Sequence, residues 1–562
     1  MKVSVRTNVS QTAREESPTS ALQHKAAGKA FLSGVMVLTL STVLVKLIGL
    51  FYKIPMLHYL GSEGMGYFNA AYEWYGTLCV VTTSGLPLAS SMLIAEARAA
   101  GDYVGIRRIK RLTLGLFLLL GTLGTAALLF GAPSIARLIG SPDTGYALAA
   151  VSPTLFFSCL SGAYRGYFQG HQDMLPTAVS QIIEAVGKLV LGLGFAVFAW
   201  RRGMSAPHIA AWAMLGLGLG VAISVFYLVL HRRSYSASEV GRSLVLNAPM
   251  ATSGNRSFGR LLSLAVPMTI SSSVLCLTRL FDMTMILRRL QDVGYDTAGA
   301  NALYGGYTTM AVPIFNLIPS LITSVALALV PTLSAAIEAG DRGGQRTTAQ
   351  SAVRLTALLA LPATLAVAVY SRTILSLLFR GEAAAVDATY PLLSILACSI
   401  FFSSLITVTN AILQAYGHVN IPIASMLIGA LVKLIGAYGL IGIPSLNIYG
   451  APISTFLCDS VIVGINLAMI AKHTDVLGSL RAALLRPLGV SLVAVGLPAV
   501  VYALLGRVGY SEIGLFFAAV PLTLAFFALL VIRSGLIGEQ EMAMLPERWS
   551  KRIRAFLHVT PR

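Results

Sequence analysis

Two stretches that lie far apart in the chain read alike. Residues 169–189 are QGHQDMLPTAVSQIIEAVGKL, and residues 414–434 are QAYGHVNIPIASMLIGALVKL. Their first glutamines and their lysines, Lys188 and Lys433, match at one offset of 245 residues, and a proline follows each glutamine by seven or eight positions. Repetition at a fixed offset is typical of chains that contain two copies of one structural unit.

Two weaker matches occur at nearly the same offset. The segment AEARAAGD ends at Asp102 and SAAIEAGD ends at Asp341, while VSPTLFF and TYPLLSI place Pro153 and Pro391 at equivalent positions. Each match alone is weak. Because the matches follow one another in order, they favour an internal duplication.

The composition predicts an all-α polytopic membrane protein. The chain has 562 residues, of which 56% are hydrophobic and only 11% are charged, and its mean hydropathy is +0.76. A soluble domain carries about 25% charged residues, so lipid must be the main solvent here. We attribute the net charge of +18 to the excess of Lys and Arg that membrane proteins carry in their cytoplasmic loops, and not to nucleic-acid binding.

Fourteen stretches are apolar over about 20 residues, the length that crosses a bilayer. They lie at approximately 31–52, 67–95, 112–131, 146–164, 176–200, 207–230, 261–287, 303–332, 355–371, 386–412, 421–441, 449–471, 487–506 and 512–532. The first twelve form two blocks of six that carry the repeated motifs. We therefore predict two pseudo-symmetric six-helix lobes followed by two C-terminal helices.

The chain is divided accordingly. The predicted units are a disordered tail (1–28), an N-lobe (29–235), a linker (236–258), a C-lobe (259–475), spans thirteen and fourteen (476–535) and an amphipathic tail (536–562). Most Lys and Arg residues fall on the side of both termini, which predicts a cytoplasmic location for each terminus. The first 28 residues contain no signal-peptide pattern. We expect a monomer in the cytoplasmic membrane.

Span seven contains charges where hydrocarbon is expected. Residues 277–291 read LTRLFDMTMILRRLQ, so that Arg279 and Asp282 fall inside the span and Arg288 falls at its edge. A charge at the bilayer centre costs at least about 2.5–3.5 kcal/mol, so such residues usually face a polar cavity. Span seven therefore predicts a cavity, which in a duplicated transporter lies between the two lobes.

Three further charged residues are predicted at the same cavity. Lys46 and Lys53 lie in and just after span one, and Glu73 lies early in span two. With Arg279, Asp282 and Arg288 they form a candidate substrate-binding set for an anionic head group. Asp282 follows Arg279 by three residues on one helix, so we expect it to pair with Arg279 and orient it. The alternative is that these charges form neutral pairs that only fix helix packing, with Arg288 reaching water at the interface.

Two pairs are predicted within the lobes. Glu184 and Lys188 are spaced i, i+4 on one helix, and Lys433 in span eleven can meet Asp459 in span twelve. We favour a structural role for both pairs. Coupling to Na⁺ or H⁺ through Asp459 or Glu184, or to the membrane potential, is left open. No cofactor or metal site is predicted, because the five cysteines are scattered without metal spacing.

Soluble-enzyme signatures are absent from the sequence. It contains no phosphate-binding Gly-rich loop, zinc motif or nucleophile elbow, and its longest loop, 231–260, is too short for a catalytic domain. We therefore expect a protein that is not an enzyme. An integral-membrane glycosyltransferase remains a less favoured alternative.

Two long stretches carry a family resemblance. YLGSEGMGYFNAAYEWYGTLCVVTTSGLPLASSMLIAEARAAGD (59–102) and RRLQDVGYDTAGANALYGGYTTMAVPIFNLIPSLITSVALALVPTLSAAIEAGD (288–341) resemble the polysaccharide-biosynthesis transporters related to stage V sporulation protein B. That family belongs to the multidrug/oligosaccharidyl-lipid/polysaccharide exporter superfamily and is similar to the lipid II flippases. The resemblance implies two six-helix lobes, alternating access and a lipid-linked cell-wall or polysaccharide precursor as substrate.

The resemblance also bears on individual residues. Lys46 in KLIG falls where lipid II flippases have a cavity arginine, and Lys53 lies next to the position of a second one. Their arginine in span two has no counterpart, since the chain has no Lys or Arg between Lys53 and Arg98. We therefore expect a flippase for an anionic polyprenyl-diphosphate-linked saccharide with a related but different head-group site. The alternative within the superfamily is a cation-coupled multidrug exporter.

Overall fold

The computed structural model describes residues 18–245, 254–474, 477–508 and 512–536. Across these ranges the regular structure is entirely helical, and no strand occurs. The prediction of an all-α membrane protein is confirmed. The amphipathic tail predicted beyond residue 536 lies outside the described residues.

Twelve described helical segments are long and apolar enough to cross a membrane. The first of them, Leu44–Ala99, contains two passes, because the backbone leaves the helical region at Gly61 (φ 66°). The rings of Tyr52 and Phe68 lie 6.3 Å apart, whereas sixteen residues of straight helix would separate them by roughly 24 Å. Gly254–Asp292 adds a further pass of 39 residues, which is less apolar because it carries the charges of span seven.

The helices follow the predicted order. The N-lobe contains α1 (Pro18–Thr83), α2 (Gly85–Ala99), α3 (Tyr103–Leu138), α4 (Thr144–Gly170), α5 (Leu175–Gly187), a π-helical segment (Lys188–Gly192), α6 (Leu193–Arg201) and α7 (Ala206–Val245). The C-lobe contains α8 (Gly254–Asp292), α9 (Thr297–Gly306), a second π-helical segment (Tyr307–Ala311), α10 (Val312–Glu338), α11 (Arg342–Leu378), α12 (Ala383–Ala415), α13 (Asn420–Ile441) and, after a short 3₁₀ turn, α14 (Gly450–His473). Two further helices follow, α15 (Leu477–Arg507) and α16 (Glu512–Arg533).

Helix extends into two regions that were predicted as tail and linker. Helix α1 begins at Pro18, so residues 18–28 are helical, and α7 continues to Val245, well into the predicted linker. Residues 18–28 are rich in Ala, Lys, Leu and Gln, which are strong helix formers, and proline is favoured at the first helical position. Residues with high helix propensity therefore extend the helix beyond the apolar span.

The predicted repeat recurs as one local structure in both lobes. Asp102 accepts a hydrogen bond from the backbone N–H of Gly105 at 2.7 Å, and Asp341 accepts one from Gly344 at 2.9 Å. Each aspartate caps the N-terminus of the helix that follows. In each lobe the preceding glycine has a positive φ, 71° at Gly101 and 66° at Gly340.

The apolar core joins the lobes at both ends, and most extensively at one of them. We call the end that carries the turns at Gly61 and 293–296 the outer end, following the predicted topology. There a single cluster contains residues of both lobes, such as Met65 of α1 and Tyr304 of α9. Toward the inner end, one cluster fills the C-lobe, and a second fills the N-lobe and includes Leu261 and Ala265 of α8. There α8 packs against α2, and Arg260 pairs with Glu96 at 2.9 Å.

Candidate functional site

Lys46 and Lys53 lie on one face of α1, because seven residues bring a helix back to nearly the same direction. Lys53 crosses between the lobes and donates a hydrogen bond to the carbonyl of Thr308 at 2.9 Å. Lys46 is exposed and points the same way, about 10 Å closer to the inner end. The exposed apolar side chains Leu44 and Phe51 lie on the other side of the helix. Lys46 therefore faces the gap between the lobes and not the lipid.

Glu73 lies between two residues that contact the C-lobe. Four positions before it, Asn69 donates hydrogen bonds to the hydroxyls of Thr308 and Thr309. Four positions after it, Thr77 donates to the carbonyl of Cys276 on α8 at 3.4 Å. Because residues four apart share a helix face, Glu73 also faces the C-lobe.

Arg279 faces away from the lipid-exposed side of α8. A stripe of exposed apolar side chains marks that side: Val266, Ile270, Leu277 and Phe281. Arg279 precedes Phe281 by two residues, which turns it roughly 160° away from the stripe. It is nevertheless exposed, so it opens onto the gap between the lobes. It lies roughly 20 Å from the outer end of its helix, a depth similar to that of Lys46.

Lys188 is a further cation near this gap. Its ammonium lies 4.1 Å from the ring centre of Tyr72 and 5.3 Å from that of Tyr52, and it is within electrostatic range of Lys53. We call the set Lys46, Lys53, Glu73, Lys188 and Arg279 the interlobe chamber. It holds four cations and one carboxylate, so an anion is its electrostatic complement.

The prediction that Asp282 pairs with Arg279 is wrong. Its carboxylate pairs with Lys433 of α13 at 2.8 Å, and both side chains are less than one fifth exposed. The Arg279 guanidinium instead contacts the Sγ atom of Cys276 at 3.1 Å. Three residues of helix rotate Asp282 toward α13, so it lies inside the C-lobe. The predicted contact of Lys433 with Asp459 is replaced by this pair.

The predicted pair of Glu184 with Lys188 is also replaced. Glu184 pairs with Arg165 of α4 at 2.9 Å, and Arg165 also donates to the hydroxyl of Ser180. Span four was predicted to end at residue 164, but α4 continues to Gly170, so Arg165 lies on this helix. The sequence signal for this longer helix was the helical spacing of small and aromatic residues in AYRGYFQG (163–170). Because Glu184 pairs with Arg165, the ammonium of Lys188 lies over the rings of Tyr52 and Tyr72 instead.

The Lys433–Asp282 pair allows a stability prediction. Lys433→Ala should lower the free energy of unfolding by about 3 kcal/mol, because it leaves a buried carboxylate without its cation. The double variant with Asp282→Ala should recover most of that loss. Thermal unfolding of the purified protein measures both. Equal instability of the single and double variants would contradict the pairing.

Arg288 lies at the outer end and binds the opposite lobe. Its guanidinium donates to the carbonyls of Leu138 at 2.6 Å and Arg137 at 2.8 Å, at the C-terminus of α3. Gln291 donates to the carbonyl of Gly140 at 2.5 Å. A cation is favourable there because the last carbonyls of a helix lack intrahelical partners. Arg288 thus closes the outer end and does not enter the interlobe chamber.

Two glycines bring the lobes into backbone contact beside Arg288. A Cβ atom at Gly66 would collide with the carbonyl of Asn301, and one at Gly305 would collide with the carbonyl of Ser62. Asn301 also donates to the hydroxyl of Ser141 in the N-lobe at 2.9 Å. We call the contacts made by Gly66, Gly305, Asn301, Arg288 and Gln291 the outer seal.

Arg288 and its neighbour form a matched pair for testing the outer seal. Arg289 binds the carbonyl and ring of Tyr438 within its own lobe. Arg288→Ala should favour opening of the outer end by about 1 kcal/mol, or roughly fivefold, because it removes two exposed charge-assisted hydrogen bonds. Arg289→Ala should not. Spin-label distances between positions 143 and 295 report the opening, and an equal response of both variants would contradict this role.

Comparison with known proteins places this geometry in a family. Residues 31–337, more than half of the chain, match the model of the polysaccharide biosynthesis protein family, and residues 299–439 match the MatE model. The chain is 27% identical over 448 residues to stage V sporulation protein B of Bacillus subtilis, covering 79% of this chain and 84% of that protein. It is 26% identical over 419 residues to the lipid II flippase MurJ of the same organism, covering 72% and 76%.

Solved structures agree on the fold. The inward closed conformation of the lipid II flippase MurJ matches 88% of this chain and 98% of its own, with a TM-score of 0.65 and 15% identity. An inward-facing multidrug resistance MATE transporter of the MOP superfamily matches 76% and 98%, with a TM-score of 0.59 and 16% identity. The chain therefore belongs to the polysaccharide biosynthesis protein family, and it is a multi-pass membrane transporter of the MOP superfamily.

Proposed function

We propose that the protein is a flippase that exports an anionic, polyprenyl-diphosphate-linked saccharide by alternating access. The observation that carries the proposal is the interlobe chamber, where four cations face a single carboxylate. Charge-assisted hydrogen bonds from Lys and Arg are the strongest contacts that a protein offers to phosphate. The similarity to a lipid II flippase over most of the chain supports the same class of substrate.

The two ion pairs observed inside the lobes do not reduce the charge of the chamber. Arg165 neutralises Glu184 within the N-lobe, and Lys433 neutralises Asp282 within the C-lobe. Lys46 and Arg279 face the gap at similar depth from opposite lobes. A diphosphate held between these two side chains would contact both lobes at once. Its binding would therefore favour approach of the lobes, and its release would favour their separation.

The direction of transport follows from the charge of the substrate. With both termini in the cytoplasm, the outer seal lies between the interlobe chamber and the outer face of the membrane. Moving about two negative charges outward across a membrane potential of about 100 mV gains roughly 4–5 kcal/mol. The potential would therefore drive export without any chemical step, in a monomer of the cytoplasmic membrane that is not an enzyme. The terminal orientation can be tested with a reporter fused after Arg562.

The multidrug-exporter alternative is favoured by the MatE match over residues 299–439. Exporters of cationic drugs need acidic side chains in the cavity, since an organic cation is repelled by lysine and arginine. The chamber offers only Glu73 for that purpose. We therefore rank the drug-exporter function second.

One reconstitution separates the candidates. Purified protein in vesicles is supplied with a fluorescent polyprenyl-diphosphate saccharide, with the matching monophosphate lipid, or with a cationic dye. We expect rapid translocation of the diphosphate, slower translocation of the monophosphate and none of the dye. Dye transport without lipid translocation would overturn the proposal in favour of a drug exporter. Turnover of a nucleotide sugar would instead establish a glycosyltransferase.

A further inference from the structure

A cation-lined cavity lies at the inner end of the C-lobe, away from the interlobe chamber. Its volume is about 730 Å³, and small-molecule sites in proteins occupy about 300–1,000 Å³. The start of α11, the C-terminal end of α12 and the last turn of α14 form its walls. We call it the inner pocket, and its polar lining includes Arg342, Gln345, Arg346, Tyr416, Lys472 and His473.

The lining of the inner pocket is strongly positive. Arg342 and Arg346 are four residues apart on α11, so they share one face of the helix, and Lys472 reaches the pocket from α14. Within the described part of the chain, no acidic side chain lines the pocket. The carboxylate of Asp341, which precedes α11, accepts the capping hydrogen bond from the backbone of Gly344. Three converging cations make an anion the electrostatic complement of this pocket.

Helix stability and membrane topology do not explain why these cations converge. Lys472 lies in the last turn of α14, where a cation is favourable, but Arg342 is the first residue of α11, where the helix dipole disfavours a cation. The positive-inside rule counts the basic residues of the inner loops. It does not require them to surround one cavity, so a ligand is the better explanation.

The equivalent positions in the N-lobe belong to its apolar core. At the offset of 239 residues that separates the two capping aspartates, Arg342 corresponds to Tyr103 and Gln345 corresponds to Ile106. Ile106 is only 1% exposed, and Tyr103 packs against the same core cluster. In the C-lobe, Arg342 is exposed and Gln345 is half-buried. The two copies of the repeat therefore differ at the residues that line the inner pocket.

We propose that the inner pocket binds the phosphate group of a ligand that enters from the cytoplasmic side. The guanidinium groups of Arg342 and Arg346 suit bidentate binding of phosphate oxygens, and Lys472 adds a compact positive charge. The rings of Tyr416 and His473 lie beside these cations. A pocket of this volume holds the organic part of a ligand together with its phosphate. Two sources share that chemistry, a soluble nucleotide and the head group of an anionic lipid.

The inner pocket is separate from the interlobe chamber. The chamber takes its charged residues from α1, the first π-helical segment and α8, whereas the pocket is formed by α11, α12, α14 and the turn before α11. A ligand in the pocket would join the inner ends of α11 and α14 within one lobe. Binding there does not rest on the function proposed above.

The pocket is tested by equilibrium binding of radiolabelled ADP to the full-length protein in phosphatidylcholine nanodiscs. We expect saturable binding that inorganic pyrophosphate displaces. Arg346→Gln and Lys472→Gln should each weaken binding about tenfold or more, because each removes charge-assisted hydrogen bonds to phosphate. Arg107→Gln, at the position of the N-lobe equivalent to Arg346, is the matched control and should bind normally. Arg279→Ala, in the interlobe chamber, should also bind normally.

A second measurement separates a lipid from a soluble ligand. Native mass spectrometry of protein released from phosphatidylglycerol nanodiscs reports the lipid that is retained. A lipid site would keep phosphatidylglycerol on the wild-type protein and on Arg107→Gln, lose it in Arg346→Gln, and leave ADP unbound. That outcome supports the pocket with a lipid head group as its ligand.

Four results would overturn the proposal. The wild-type protein would bind neither ADP nor phosphatidylglycerol, or binding would survive both Arg346→Gln and Lys472→Gln. An equal loss in Arg107→Gln would indicate a general effect of charge, and a loss confined to Arg279→Ala would place the phosphate in the interlobe chamber. Binding at the inner pocket in a protein that translocates no lipid would remove the proposed function and leave this site standing.

Discussion

Replacing Arg279 by alanine is expected to slow translocation of a polyprenyl-diphosphate saccharide about 100-fold. A guanidinium can hold a diphosphate by two charge-assisted hydrogen bonds, and each contributes about 1.5–3 kcal/mol. A loss of about 3 kcal/mol corresponds to roughly two orders of magnitude. Folding should be unaffected, because Arg279 is exposed and its guanidinium contacts the thiol of Cys276. Lys46→Ala should lower transport about tenfold for the same reason.

The controls for this experiment come from the same helix. Arg279→Lys should retain part of the activity, since the charge survives while the planar fork does not. Arg289→Ala removes an arginine of α8 that binds within its own lobe and should transport normally. Translocation in vesicles is measured beside thermal stability. Normal transport by both Arg279→Ala and Lys46→Ala would show that the interlobe chamber does not bind the head group.

Replacing Gly305 by alanine is expected to hold the outer end open and to reduce transport roughly 5- to 150-fold. The new methyl group would meet the backbone of Ser62 and Gly66 in the opposite lobe. Backbone atoms cannot rotate away as a side chain can, so the helices must separate. Overpacking of this kind costs about 1–3 kcal/mol, and here the cost falls only on the state in which the outer seal is closed.

Gly76 offers a matched control for the substitution at Gly305. It lies on the second leg of α1, and a Cβ atom there meets nothing within 4 Å, so Gly76→Ala should transport normally. Spin-label distances across the outer end should lengthen in Gly305→Ala and stay unchanged in Gly76→Ala. Unchanged distances in Gly305→Ala, together with full transport, would contradict the proposed closure.

The sequence by itself determined the membrane fold and the approximate position of each span. The reason is physical: a helix in lipid must be apolar over a fixed length, so hydropathy alone locates it. The repeated AGD segments likewise identified the equivalent turns before α3 and α11, where Asp102 and Asp341 cap the helices, because a helix cap is a local structure. The cost of burying charge also allowed Lys46, Glu73 and Arg279 to be predicted at a common gap, and their helix faces agree with that placement.

Only the tertiary structure decided which charges meet. Spacing along one helix suggested Glu184 with Lys188 and Arg279 with Asp282, yet Glu184 pairs with Arg165 and Asp282 with Lys433. A partner at i, i+3 or i, i+4 can be read from the sequence, whereas a partner on another helix depends on how far each helix is rotated about its axis. That rotation is set by the packing of all neighbouring helices, which also brings Gly305 against Ser62 and places Arg288 on the carbonyls of α3. No local pattern encodes those contacts, because each depends on two segments whose separation in the chain exceeds 140 residues.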